Sequence, residues 1–299
     1  MGKGIGENFL ASDVLALRAV TDRFIFLEEG DLVDLRPDSI DIWNIDEASV
    51  IRADVRVEME ADDMERGNYR HFMQKEMFQQ PEVVKRALEG RVGKVSVLDG
   101  ALGEGSQELL SRVESVTIVA CGTSYLAGSV ARYWIEELAG LPCQVEIASE
   151  YRYRNPATQK NSLFITISQS GETADTLAAL RLAKERDFLA TLTLCNVPTS
   201  ATVRESDIAM MLNAGTEVGV ASTKAFVAQT TALLLLTLLL ARQRGLKPGL
   251  EEEIVGQLHE LPNTIAELLK LDEPIAKLAE VFADKEHALY LGRGSFFPI

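Results

Sequence analysis

Three stretches of this 299-residue chain place small hydroxyl side chains beside glycine directly after an apolar run. They are Cys121-Gly122-Thr123-Ser124-Tyr125, Ser168-Gln169-Ser170-Gly171-Glu172-Thr173 and Gly215-Thr216-Glu217-Val218-Gly219-Val220-Ala221-Ser222-Thr223. Such a loop lets backbone N–H groups and hydroxyls converge on an anion at the positive end of a helix dipole. The densest is 168–173, where Ser168, Gln169, Ser170 and Thr173 are four hydrogen-bonding side chains within six residues. The ordinary alternative is that a Ser or Thr before a helix is an N-cap, which accounts for Ser170 and Thr173 taken alone. Three hydroxyl-rich loops on one sheet edge favour a shared anion site.

The chemistry absent from these loops is as informative. The histidines are His71, His259 and His287, none of them in the loops, and no H-x-x-x-H spacing exists. Neither a Ser–His–Asp arrangement nor a metal site follows. No G-x-x-x-x-G-K-[ST] occurs, and no G-x-G-x-x-G follows the first apolar run. Glu172, beside a glycine at a helix start, reads as dipole decoration rather than a base. Lys224, which could in principle form a Schiff base, reads as a solvated helix-start lysine or an anion partner. Cys121, Cys143 and Cys195 lie in or beside apolar runs without C-x-x-C spacing, the pattern of buried free thiols. The residues suggest a binder without catalytic groups, metal or cofactor.

The elements that must hold these loops are legible as short apolar runs rich in β-branched residues, at 116–120, 144–147, 163–167, 189–194 and 208–212. Their hydrophobicity is continuous rather than alternating, so both faces of each strand are covered. Helical patterns at 126–139 and 174–184 separate them, which predicts an α/β fold with a five-stranded parallel sheet flanked by helices. Upstream, 24–33 reads as a hairpin around Glu28-Glu29-Gly30-Asp31, and 39–45 and 50–57 as further antiparallel strands. These are too few to bury a sheet alone and suggest the trailing edge of another domain. Residues 58–70 read as a charged linker, followed by a helix with Phe72, Met73, Met77 and Phe78 that stops before Pro81. Helices are predicted at 251–271 and 274–282, and a last strand at 288–291.

Charge and hydropathy limit the partners. With 30 Lys and Arg against 45 Asp and Glu the formal net charge is −15. A surface this acidic, with Arg152 and Arg154 as isolated positives, argues against nucleic acid. The leucine-rich run 225–241 is interrupted by Gln229, Thr230, Thr231 and Thr237. It falls short of the ~20 apolar residues that span a bilayer, so it predicts a buried helix and no membrane partner. The first residues lack the apolar core of a signal peptide, and a cytoplasmic protein is expected.

Ser168-Gln-Ser-Gly-Glu-Thr-Ala-Asp-Thr176 closely resembles the phosphate loop of the sugar isomerase (SIS) family. Cys121–Tyr125, Glu150-Tyr-Arg-Tyr-Arg154 and 215–226 are similar to the glutamine-dependent fructose-6-phosphate aminotransferases within it, as are Gly6–Asp13 and Leu291–Ser295. The resemblance implies that residues 1–60 end a glutaminase domain, 61–80 are a linker and helix, 81–245 form a first SIS domain and 246–299 open a second. It implies that Thr123, Ser124, Ser168, Gln169, Ser170, Thr173 and Val220, and more weakly Ser222, line a site for fructose-6-phosphate or glucosamine-6-phosphate. It further implies that the family's catalytic residues lie outside this chain, and that the chain pairs as a homodimer through SIS domains. A non-catalytic sugar-phosphate sensor is the alternative, and a fold whose loops merely cap helices a third.

Overall fold

The computed structural model describes residues 1–11, 14–17, 19–57 and 65–299, so Ser12, Asp13 and most of the charged linker lie outside the described residues. The chain forms two compact units, 1–65 and 66–299. In the first, β1 (Gly2–Lys3), β2 (Asn8–Phe9) and β3 (Arg23–Ile25) join β6 (Asp54–Arg56) in an antiparallel sheet of order β2-β1-β3-β6. β4 (Leu32–Leu35) and β5 (Ile40–Trp43) form a separate hairpin, with Leu32 opposite Trp43 and Leu35 opposite Ile40. The expected hairpin over 24–33 is therefore not made. β3 instead pairs with β1 and β6, which carry its apolar face onto a small core of Met1, Ile25 and Ile42. Strand character was local; the choice of partner was not.

The second unit opens with α1 (Phe72–Leu88) and the short α2 (Ser106–Ser111). Its sheet comprises β7 (Ser115–Ala120), β8 (Cys143–Ile147), β9 (Ser162–Ser168), β10 (Ala190–Cys195) and β11 (Ile208–Met211), all parallel, in the order β11-β10-β9-β7-β8. Every residue of β7, β9 and β10 is buried. Successive side chains alternate between two cores, as the strand repeat requires. Val116, Ile118, Leu163 and Ile165 face one, while Val119 and Phe164 face the other. The larger core is closed by α1, α3 (Gly122–Trp134, continued by one π-helical turn to Ala139), α7 (Lys224–Arg242) and α8 (Leu250–Leu269). The smaller is closed by α4 (Ala148–Tyr151) and α5 (Ala174–Lys184), beyond which α6 (Ala201–Glu205) leads into β11.

Two further expectations fail for physical reasons. α1 runs through Pro81 rather than stopping, although proline supplies no N–H for the bond to residue 77. Val83, Val84, Ala87 and Leu88 beyond the proline are buried in the larger core, and that burial offsets the missing bond. Residues 288–291 form no strand: Leu289, Tyr290 and Leu291 are exposed and no ladder partner lies beside them. A strand is stabilised by its neighbour, so an apolar run without one stays irregular. α9 (Asp272–Glu280) precedes them with no buried residue.

α7 is the one described helix long and apolar enough to raise a membrane question. Fourteen of its 19 residues are buried in the protein core, as expected from its interrupting polar residues.

Candidate functional site

β7 lies between β8 and β9. The chain leaves β7 to form β8 on one side, then returns to form β9 on the other and continues outward. Connections from neighbouring strands thus diverge at the carboxyl ends of β7 and β9, and ligands of open α/β sheets bind in the crevice that results. This topology brings the loop carrying Thr123 and Ser124 beside the loop carrying Ser168, Gln169, Ser170 and Thr173.

The 168–173 loop is built from its own hydroxyls. Ser168, 3% exposed at the end of β9, accepts the Gly171 N–H at 2.9 Å and stands 3.4 Å from the Thr173 hydroxyl. The Ser170 hydroxyl accepts the Glu172 N–H at 3.2 Å. Gly171 sits at φ 69° and is buried, a conformation and a closeness that favour glycine. Thr173 occupies the N-cap of α5, yet its side chain makes no cap bond. Capping by its own side chain therefore does not account for Thr173. Glu172 does decorate a helix start, as expected, but the helix is α6: its Oε1 accepts the Ala201 N–H at 2.7 Å.

Neighbouring loops are stitched to this one. The Gln169 carbonyl accepts the Asn196 N–H at 3.3 Å. The Asn196 side chain in turn donates to the Gly215 carbonyl at 2.7 Å and accepts the Ala214 N–H at 2.8 Å. The loops after β9, β10 and β11 thus form one hydrogen-bonded rim. Buried beneath it, the Cys195 thiol lies 3.3 Å from the Ser200 hydroxyl. All three cysteines are free, and burial pushes the Cys143 thiol up to about 12, which keeps it protonated and unreactive.

The third loop reaches the site through α7. Gln229, 1% exposed, donates from Nε2 to the buried Ser124 Oγ at 3.0 Å and ties α7 to the start of α3. That donation uses a lone pair of Ser124 and leaves its proton free for another acceptor. Ser222 is differently placed, since its hydroxyl donates to Glu217 Oε2 at 3.0 Å. Val220 is fully exposed. Lys224, expected to be solvated or an anion partner, is buried, with Nζ donating to Gln79 Oε1 of α1 at 2.8 Å.

Three contributors escaped the sequence reading: Gln229, Glu217 and Glu76. Glu217 Oε1 accepts the Thr223 and Ala225 N–H groups at 2.9 and 3.1 Å and so caps α7. A carboxylate six residues before the N-cap of a helix was a readable signal. Glu76 and Gln229 gave none, because their partners are more than 100 residues away in sequence. No cluster of metal-ligating side chains is present among the described residues.

Residues 109–239, which hold the parallel sheet and its loops, match the SIS domain. The chain belongs, more particularly, to the glutamine–fructose-6-phosphate aminotransferase family. It is 57% identical over 300 residues to the isomerizing enzyme of that name from Pseudomonas syringae pv. tomato, and 54% identical over 299 residues to that of Escherichia coli K12. Both matches cover 100% of this chain and 49% of the relative, so the chain spans about half the length of the curated relatives it matches. Among solved structures, the C-terminal domain of glucosamine-fructose-6-phosphate aminotransferase from Francisella tularensis superposes with a TM-score of 0.76 at 44% identity, covering 78% of this chain and 66% of that one.

Proposed function

We propose that residues 121–124 and 168–173 bind the phosphate of fructose-6-phosphate or glucosamine-6-phosphate, with Thr123, Ser124, Ser168, Gln169, Ser170 and Thr173 as donors. The observation that carries the reading is the start of α5, where Thr173 stands at the N-cap without using its side chain as a cap. Hydroxyls, N–H groups and a helix dipole can hold a dianion without lysine or arginine, because several charge-assisted bonds act together. Val220, and more weakly Ser222, complete the lining from the third loop, Ser222 only by giving up its bond to Glu217. The relatives are named for an isomerizing transfer of the amino group of glutamine to fructose-6-phosphate. In our reading this chain serves that reaction as part of a cytoplasmic, homodimeric enzyme without metal or cofactor. Within it, residues 1–60 correspond to the end of the glutaminase domain, 81–245 to the first SIS domain and 246–299 to the start of the second.

Binding by this chain is tested at the loop itself. Each charge-assisted bond contributes about 1.5–3 kcal/mol, so Ser170→Ala and Thr173→Val are each expected to weaken fructose-6-phosphate binding about 10- to 100-fold. Calorimetric titration gives the affinity and thermal melting the stability of each variant. Unchanged affinity with a lowered melting temperature would assign the loop to helix capping instead.

The same arrangement implies binding without turnover. The loop carboxylates Glu172 and Glu217 serve backbone N–H groups at helix starts, and the loops contain no histidine. Incubation of the chain with glutamine and fructose-6-phosphate is expected to yield no glucosamine-6-phosphate. Turnover near ~1 s⁻¹, within the ordinary enzyme range, would show that catalytic groups have been overlooked.

A further inference from the structure

The loop between β11 and α7 is held from below by α1. Glu76, on α1, is only 2% exposed, an expensive place for a carboxylate unless its bonds are strong. Its Oε1 accepts the Val218 N–H at 2.7 Å and the Gly219 N–H at 2.9 Å. Its Oε2 is buried without a hydrogen-bond partner. A Cβ on Gly219 would stand 2.5 Å from that oxygen, so only glycine lets the carboxylate approach this closely. One turn further along α1, Gln79 accepts the Lys224 ammonium at 2.8 Å, at the other end of the same loop. Glu217 fixes the segment 222–225 from within. Val220 and Ala221 are thereby left between two clamps, with Val220 projecting fully into solvent at the carboxyl edge of the sheet.

We propose that Glu76 is a positioning residue for the sugar-phosphate site: its buried carboxylate fixes the Val218–Gly219 backbone and so sets where Val220 is presented to the ligand. A plain connection between a strand and a helix has no need of a carboxylate taken from a helix 142 residues earlier, whereas a rim that must hold its place does. The inference rests on the sugar-phosphate reading given above.

The full chain is used for the test, with fructose-6-phosphate titrated by calorimetry and amide hydrogen exchange followed at Val218 and Gly219. Glu76→Ala is expected to expose both amides to exchange and to weaken binding about 10- to 100-fold, the scale of effect for displaced positioning groups. Glu76→Gln keeps a carbonyl acceptor for the two N–H groups and is expected to retain protection and most of the affinity. Gly219→Ala attacks the same contact from the loop side without removing the carboxylate, and covers the case in which Glu76→Ala fails to fold. It is expected to match the loss in Glu76→Ala. Folded Glu76→Ala or Gly219→Ala with unchanged affinity overturns the positioning role while leaving the sugar-phosphate reading intact. Failure of the unsubstituted chain to bind fructose-6-phosphate overturns that reading and this inference with it.

Discussion

Gly171→Ala is expected to destabilise the protein by about 2–5 kcal/mol, adding roughly 1–2 for a left-handed backbone to 1–3 for overpacking. The backbone at Gly171 has φ 69°, and a Cβ there would fall on Ser200 Oγ and 2.7 Å from Cys195 Sγ. Both neighbours are buried and held by bonds of their own, so neither can yield cheaply. The residue also joins two elements. Its N–H donates to Ser168 Oγ and its carbonyl accepts the Thr202 N–H at 3.2 Å, so displacing it loosens the proposed phosphate loop and the start of α6 together. Gly122→Ala supplies the control, because Gly122 has φ 57° but open space where its Cβ would stand. That variant is expected to carry the conformational cost alone, about 1–2 kcal/mol. Urea unfolding of both variants separates the terms, and equal destabilisation would mean that the Ser200 and Cys195 contacts are soft.

Leu236→Ala in α7 is expected to cost about 2–5 kcal/mol. Leu235 and Leu236 are both fully buried, and their helix forms one wall of the larger core against α1 and α3. A cavity at that wall loses transfer free energy and leaves the surrounding side chains without contacts. Leu289→Ala is the matched comparison, since Leu289 is 82% exposed, and its effect is expected within about 0.5 kcal/mol. The two are compared by denaturant unfolding. A cost below about 1 kcal/mol at Leu236 would show that α7 is more loosely packed than its burial indicates.

Some of this protein was legible in its residues alone. The three central strands stood out because a strand covered on both faces is apolar nearly throughout, as 163–167 and 116–120 are apart from one threonine each, whereas the edge strands β8 and β11 are only partly buried. The helix 174–184 was legible in the same way, as was the burial of 225–241. The hydroxyl loops were legible as possible anion cradles because glycine and small hydroxyls are what such a turn needs.

What the residues could not contain was anything set by a distant partner. The order β11-β10-β9-β7-β8, and hence the crevice between β7 and β9, depends on which edge each strand joins. Pro81 reads locally as a stop, but the burial of Val83, Val84 and Leu88 against other helices overrides that preference. The run 288–291 reads as a strand and is none, because pairing is a property of two segments. Whether Thr173 caps α5 or leaves its hydroxyl for a ligand is decided by a side-chain direction that its type does not determine. Glu76, one acidic residue among 45 Asp and Glu, acquires its place only when α1 is laid beneath a loop 142 residues later in the chain. Composition and spacing act through local backbone preference and burial, whereas the site's final form is fixed by contacts that exist only once the whole unit has closed around its core.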